Sequence, residues 1–357
     1  MKKSRSKAFF ISGGAGRVIC SIPAFERYAK DSGDKDFIIV CEGGMDFYRG
    51  HTVLQKHAYE VWHKGLFDQH LRDKDIVTPE PYRINEYFNQ ECSLAQAFDI
   101  EINSLEEPRE LPAPSINLNK TETITGYQAI QGIKSQLNKD KAIIVQPFGR
   151  SVTQMGEYLI DSTSRSFEVG NIVSIIEQLR DKYAVVMMAD LALPIPENKE
   201  HPVAMPREPN LRLWASMINS AEHFLGCDSV GQHIAKALDK TATVVIGSTV
   251  PINISYLNDE KFDIIIESVS AIAKQVAEVS PWYNNNIPCE AGDDGTLLIT
   301  SILKSAKRYL KKDGKHIEID SYGSKREVTY KDGKLNGKFI DWYDNGNKRK
   351  EGNYKTK

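Results

Sequence analysis

Residues 222–254, EHFLGCDSVGQHIAKALDKTATVVIGSTVPINI, constrain this chain more than any other stretch. They read as strand, tight turn, helix, strand and glycine turn. Phe224-Leu225 is a short apolar run ending at Gly226. Asp228 and Ser229 are N-cap residue types, whose side-chain oxygens accept the free amides of a first helical turn. Ile234, Ala237 and Leu238 then fall at i, i+3 and i+4, one apolar helix face. Thr243 to Ile246 is β-branched and bounded by Gly247, which predicts the next parallel strand. Two loops, 226–231 and 247–251, thus follow the carboxyl ends of two strands, where open α/β sheets bind ligands. The first opens a helix whose N-terminal amides, Gly231 included, carry partial positive charge and suit a phosphate. His233 lies one turn on and shares a face with Ser229. Gly247-Ser248-Thr249 before Pro251 forms a second turn able to bring backbone close to the same ligand. The plainer alternative is that Asp228 only caps and His233 only packs.

The bulk numbers narrow the class. At 357 residues the chain has room for two domains and an appendage. It is 41% hydrophobic and 26% charged, as soluble globular proteins are, and a net charge of -2 gives no sign of a nucleic-acid binder. The five cysteines, Cys20, Cys41, Cys92, Cys227 and Cys289, contain no CxxC pair or metal spacing. Three sit in or beside apolar segments, so buried free thiols and a reducing, cytoplasmic setting are expected. The apolar run after MKKSRSK is too short for a signal peptide, and no run approaches the ~20 residues of a membrane helix.

In chain order, Ala8 to Ser12 reads as a strand, Gly13-Gly14-Ala15-Gly16 as a turn, and a helix begins near Arg17 with Val18, Ile19, Ile22 and Phe25 on its apolar side. This opens a nucleotide-binding α/β domain, although Ile19 stands where a GxGxxG motif needs its third glycine. Glu42 and Asp46 lie in the loop after the second strand, Phe37 to Cys41. His51 to Lys64 looks helical. Glu106 to Pro114 reads as an exposed loop. Asp34-x-Asp36 and Asp73-x-Asp75 carry a metal-binding spelling but read as solvated loops, and no metal site is expected. A second α/β unit begins at Lys141, with a strand at Ala142 to Val145, its loop Gln146 to Ser151 bearing Arg150, a helix face of Ile172, Ile175, Ile176 and Leu179, a strand at Tyr183 to Met188, and a helix at Leu211 to Ile218. Arg150 follows a strand end, within reach of a diphosphate. Gly295 to Leu310 is a final amphipathic helix. Strand and helix alternate in both halves, which predicts two doubly wound domains with a ligand cleft between them.

Asp228-Ser229-Val230-Gly231-Gln232-His233-Ile234-Ala235, followed by Gly247-Ser248-Thr249-Val250-Pro251, resembles the C-terminal signature of the heptosyltransferase-like glycosyltransferases (family nine), roughly Asp-Ser/Thr-Gly-x-x-His-Leu-Ala and Gly-x-Thr-x-Pro. Val230 stands where the family prefers glycine. The N-terminal glycine turn and Ser21-Ile22-Pro23-Ala24-Phe25 resemble the same family, which usually places a catalytic Asp where this chain has Arg17. A guanidinium stays protonated and takes no proton from a hydroxyl, so Arg17 suits an anionic acceptor or a phosphate. Glu42 and Asp46 are the substitute carboxylates. The resemblance implies a GT-B fold and metal-independent transfer of a heptose-like or other hexose from a nucleoside-diphosphate donor to a glycan or other acceptor, with no cofactor besides that donor. Gly14, Gly16, Arg17, Arg150, Asp228, Ser229, Gly231, His233, Ser248 and Thr249 are the candidate donor and substrate contacts. The alternative is a nucleotide-sugar-binding or interaction protein that has lost its base.

Beyond Lys312 the composition changes. Tyr330-x-Asp332-Gly333, Gly337-x-Phe339, Trp342-Tyr343-x-Asn345-Gly346 and Gly352-x-Tyr354 alternate aromatics with glycine turns, and Asp332-Gly333 and Asn345-Gly346 are hairpin signals. This tail resembles about two MORN-type repeats of bacterial antitoxin-like proteins; so short a meander hardly buries a core and is expected to pack on its neighbour or on a protein partner. The expected division is 1–135, a Rossmann-like acceptor domain; 136–312, a Rossmann-like donor domain; and 313–357, a small β-meander.

Overall fold

The computed structural model describes residues 5–155, 158–161, 163, 165–191, 193–266, 296–310, 314–319, 325–331, 334–343 and 348–354. The chain forms two compact units, Met1–Ile302 and Leu303–Lys357.

The first unit is built on two parallel sheets. One contains β1 (Lys7–Ile11), β2 (Ile38–Cys41), β3 (Ala58–Glu60) and β4 (Asp75–Val77) in the order β3-β2-β1-β4. The other contains β5 (Ala142–Gln146), β8 (Ala184–Met187), β9 (His223–Cys227), β10 (Ala242–Ile246) and β11 (Phe262–Ile266) in the order β11-β10-β9-β5-β8. Between β5 and β8 the chain makes an antiparallel hairpin, β6 (Val152–Met155) and β7 (Tyr158–Asp161). Strands β2, β5, β8, β9 and β10 are buried along their whole length. Continuous apolar runs such as IIVC and AVVM suit that position, because parallel strands are covered on both faces.

Helix α1 (Ala15–Asp31) leads from β1 to β2 and buries Val18, Ile19, Ile22 and Phe25, the face expected from their spacing. Phe25 meets Phe9 of β1 edge-on, with ring centroids 5.4 Å apart. After α2 (Asn85–Phe88), helix α3 (Leu94–Asn103) carries a full capping box, Ser93 exchanging hydrogen bonds with Gln96. α4 (Lys120–Gln136), α5 (Val169–Leu179), α6 (Leu211–Ser220), α7 (Val230–Ala237), α8 (Pro251–Ile254) and α9 (Thr296–Leu310) follow. The unit division falls inside α9.

One stretch departs from the sequence reading. His51 to Lys64 is not a helix but a 3-10 turn, Leu54–His57, that feeds β3. Ala58 and Tyr59 align with Ile39 and Val40 of β2, and His57 bonds the Phe37 carbonyl through Nδ1 (2.8 Å) while stacking on its ring. Pairing with a buried strand overrides the local helical pattern here. β4 likewise begins at Asp75, inside a segment that reads as a charged turn, because Lys7 and Ala8 of β1 offer it a free edge.

The two halves of the first unit are joined by buried polar side chains as well as by apolar packing. α4 lies against α6 so closely that a Cβ at Gly126 would meet Ser216 Oγ at 2.1 Å, which leaves room only for glycine. Arg212 of α6 is 3% exposed and holds Glu122 of α4 through two hydrogen bonds of 2.6 and 2.7 Å. It also donates to the main-chain oxygens of Asp46, Arg49 and Asn117. Asn253 of α8 donates to the carbonyls of Tyr87 and Cys92 at 2.9 Å each.

The second unit carries an antiparallel meander, β12 (Gly314–Ile319), β13 (Lys325–Lys331), β15 (Gly337–Trp342) and β16 (Lys348–Tyr354), with the short β14 (Lys334–Leu335) beside β13. Val328, Tyr330 and Phe339 form its small core. The Asp332-Gly333 and Asn345-Gly346 turns lie outside the described residues, as do Gly295 and Cys289, but the flanking strands pair as hairpins do, Tyr330 with Leu335 and Trp342 with Lys348. Among the described residues no helix is long and apolar enough to cross a membrane.

Candidate functional site

A cavity of about 1220 Å³ opens where the carboxyl ends of the two sheets face each other. That exceeds the ~300–1,000 Å³ of a usual small-molecule site, so it has room for more than one ligand. The first sheet contributes the glycine turn Gly14–Gly16, Arg17, Gly43-Gly44 and the segment after β4 with Glu80, Tyr82 and Arg83. The second contributes Gln146, Arg150, Thr163, Arg165, Asp228, Ser229, His233 and Thr249. Four arginines therefore stand on one wall or the other, Arg17 and Arg83 from the first sheet and Arg150 and Arg165 from the second.

The glycine turn and the N-terminus of α7 approach across this cavity. A Cβ at Gly16 would lie 3.1 Å from His233 Cδ2, and one at Gly14 would lie 3.7 Å from Arg150 Nη1. Arg150 and His233, read from distant parts of the sequence, thus converge on one loop of the opposite sheet.

The start of α7 is held differently from the sequence expectation. Neither Asp228 nor Ser229 caps it. Gln146, at the end of β5, accepts the Gly231 amide at 2.9 Å with Oε1 and donates to Ser229 Oγ through Nε2 at 3.2 Å. The amide of Gly231 is therefore occupied by protein. Its lack of a side chain answers to packing, since a Cβ would meet Gln146 Oε1 and Phe224 at 2.3 Å. Gly231 is absent from the cavity wall, whereas Ser229 and Val230 are on it.

Asp228 is 3% exposed and works as a brace. It accepts Gln232 Nε2 at 2.6 Å and Thr249 Oγ1 at 2.9 Å, and Arg165 Nη1 stands 3.8 Å away. This ties the two ligand-facing loops of the 222–254 block together. Ser248 does not line the cavity, and its hydroxyl donates to the Thr163 carbonyl instead. That bond links the second loop to the segment carrying Arg165, which Asp161 organises by accepting from Ser151, Thr163 and Ser166 side chains and from the Thr163, Arg165 and Ser166 amides. Burial alone would raise the Asp161 pKa, but these bonds lower it to about 2.

His233 is buried, and burial lowers its pKa to about 4, with Asp228 opposing the shift and Arg165 reinforcing it. The ring is neutral at physiological pH, so a charged imidazolium donor does not form here. Its Nδ1 lies 2.9 Å from Tyr256 Oη and 3.5 Å from Cys20 Sγ.

Arg17 occupies the first turn of α1 and covers two aromatic faces, its Cζ 4.8 Å from the Tyr82 centroid and 5.4 Å from that of Phe98. Its Nε and Nη2 are buried and have no hydrogen-bond partner among the described residues. The candidate carboxylates from the sequence are placed elsewhere. Glu42 accepts the Gly13 amide at 2.6 Å and shapes the turn, and Asp46 pairs with Arg49 on the surface; neither lines the cavity. Glu80, which the sequence reading passed over, does line it, two residues before Tyr82. Its one sequence signal is its place shortly after β4, a strand whose identity depends on pairing with β1. Among the described residues no cluster of three or more His, Cys, Asp or Glu has metal-binding geometry.

Solved structures share this architecture. A family 9 glycosyl transferase from Veillonella parvula superposes with a TM-score of 0.56 at 12% identity, covering 86% of this chain and 98% of that one. The fold is GT-B. The dodecameric, iron-containing heptosyltransferase TibC of enterotoxigenic E. coli, solved with ADP-D-β-D-heptose, gives a TM-score of 0.50 at 10% identity over 87% of this chain and 78% of its own. No family model matches the sequence, and no curated protein matches it. The GT-B arrangement accounts for the cavity's position, between two Rossmann-like halves at the carboxyl ends of both sheets.

Proposed function

We propose that the protein transfers a sugar from a nucleoside-diphosphate donor to an acceptor, with the donor diphosphate held by the second half of the first unit. The observation that carries this reading is the convergence of Arg150, Arg165, Ser229, His233 and Thr249 on one wall, opposite the glycine turn Gly14–Gly16. A nucleoside diphosphate is the leaving group of such a transfer, and donors already aimed at its developing charge lower the barrier. Guanidinium groups match phosphate oxygens in pairs, which suits Arg150 and Arg165 to that task. One structure of the same fold, that of TibC, holds ADP-heptose, so adenine nucleotides and heptose-like sugars come first among the candidates. The acceptor, a glycan or other hydroxyl compound, then lies toward Arg17 and Arg83. Glu80 is the carboxylate on that wall, and we assign it the acceptor proton in preference to Glu42 and Asp46, which do not line the cavity.

The test is calorimetric titration with ADP, GDP and UDP, followed by hydrolysis of the matching nucleotide sugars. Wild-type protein is expected to bind at least one diphosphate and release sugar slowly to water. Glu80→Gln should leave the affinity intact and lower turnover by roughly 10²–10⁴-fold, the usual contribution of a general base. Binding to none of the three would remove the donor site. Binding without hydrolysis would support the second reading, a nucleotide-sugar-binding protein, which Arg17 in the family's base position favours.

The same reading divides the chain at 135/136 and 312/313 and treats the MORN-like tail as a module for a protein partner. A chain ending at Lys312 is expected to melt in one cooperative transition and to keep its nucleotide affinity. Loss of that transition would show that the tail is needed for the fold of the rest.

A further inference from the structure

Behind the ligand-facing edge of His233 lies a closed set of three polar groups that the proposed reaction does not use directly. Nδ1 of the ring is 2.9 Å from the Tyr256 hydroxyl and 3.5 Å from the Cys20 thiol. Tyr256 follows α8, Cys20 is on α1 and His233 is on α7, so three separate elements meet at one nitrogen. Tyr256 packs edge-on against both His233 and Phe262, which fixes its ring. On the other side of the imidazole is Gly16, whose would-be Cβ stands 3.7 Å from Nε2 and 3.1 Å from Cδ2. The glycine lets the ring edge reach the cavity, which His233 lines.

The hydrogens can be assigned by what each group offers. A phenol is a good donor and a thiol a weak donor and weak acceptor. If Nδ1 carried the proton, it would donate to the Tyr256 oxygen, and the Tyr256 hydroxyl would have only the thiol to donate to. If Nδ1 is bare, the phenol donates to it in a normal bond and the thiol completes the set. A buried donor with a poor acceptor is costly, by ~1–3 kcal/mol, so the second arrangement wins. We infer that Tyr256, assisted by Cys20, is a positioning residue that holds His233 as its Nε2–H tautomer, presenting a neutral N–H donor to an anionic oxygen bound in the cleft. The Cys20 thiol, pushed up to about 12 by burial, stays protonated and cannot pull the proton back. Burial keeps the ring neutral, while the charged groups that act on it, Asp228 from the start of α7 and Arg165 from the hairpin segment, oppose each other. The phosphate role of this donor rests on the proposed function; the tautomer does not.

The experiment is nitrogen-15 NMR of the full chain labelled at histidine, with the His233 signals identified by their loss in His233→Gln. Ligand-free wild-type protein is expected to show one neutral tautomer, Nε2 protonated and Nδ1 bare but hydrogen-bonded. In Tyr256→Phe the Nδ1 resonance should move to the position of an unbonded ring nitrogen, and the ring should begin to exchange tautomers. A half-populated tautomer would weaken pyrophosphate binding about twofold. His233→Ala should weaken it roughly ten- to hundredfold, and adding Tyr256→Phe to His233→Ala should weaken it no further. A proton on Nδ1 in the wild type overturns the inference without any variant, as does an unmoved Nδ1 signal in Tyr256→Phe. Correct tautomer with no pyrophosphate binding would leave the inference standing and sink the donor site instead.

Discussion

Arg212→Ala is expected to destabilise the first unit by about 2–4 kcal/mol, the cost of losing a buried guanidinium and its charge-assisted hydrogen bonds. Arg212 is 3% exposed, and it satisfies Glu122 and three main-chain oxygens at once. Its loss leaves three carbonyls short of a donor and takes the counter-ion from Glu122, which is itself partly exposed. The change should appear as a lower urea midpoint at an unchanged slope. Arg212→Lys should recover little, because one ammonium cannot reproduce a planar fork. The pH dependence has a definite sign. Hydrogen bonds from Arg212 hold the Glu122 carboxyl below its ordinary pKa. A depressed carboxylate contributes stability that is present above its unfolded pKa, about 4.3, and is lost as pH falls through the folded value. The gap between wild type and Arg212→Ala should therefore be full at pH 7 and narrow in acid below about pH 4. A variant as stable as wild type at neutral pH would show that Arg212 adds nothing to the joint between the halves.

Arg17→Met should do the opposite to stability while harming binding. Two guanidinium nitrogens buried without partners among the described residues cost ~1–3 kcal/mol each, whereas the two cation–π contacts return ~0.5–2 kcal/mol apiece. Desolvation outweighs the aromatic contacts, so removing the charge should raise the melting temperature. Methionine keeps the stem's packing between Tyr82 and Phe98. An anion in the cleft would meanwhile lose a charged donor, and its affinity should fall roughly tenfold or more. Such an exchange of stability for function is common where a site holds a group under strain. Calorimetry with ADP and with pyrophosphate, beside a thermal melt, reads both effects. A lower melting temperature with unchanged affinity would make Arg17 a structural residue and leave the glycine turn without its cation.

The parts of this site that were legible in the sequence are those whose cause is local. The strand–turn–helix–strand run from Glu222 to Ile254 declares itself through apolar spacing and β-branching, and β9, α7 and β10 fall there. Arg150 stands out because it follows a strand end. What escaped depends on partners far along the chain. Gln146 completes the start of α7 from 85 residues away. β3 and β4 become strands because β2 and β1 offer edges, so Glu80 after β4 had no local signal. Arg165 is one polar residue in a run of serine and threonine until Asp161 folds that run toward Asp228. The cap role expected of Asp228 failed for the same reason, since its oxygens answer to Thr249 and Gln232.

Arg212 and Asn253 both project from the second sheet's half and grip main-chain oxygens of the first, three in one case and two in the other. These five bonds all cross the seam between the two halves. A clamshell motion about the connecting chain would have to break them together, at ~1 kcal/mol or more apiece. The gap between the sheets is therefore set when the protein folds. Ligands enter a vessel of fixed width, and little further ordering of the walls accompanies their capture. Association should accordingly follow a single bimolecular step, with a rate that grows linearly with ligand concentration and never levels off at the pace of an opening event.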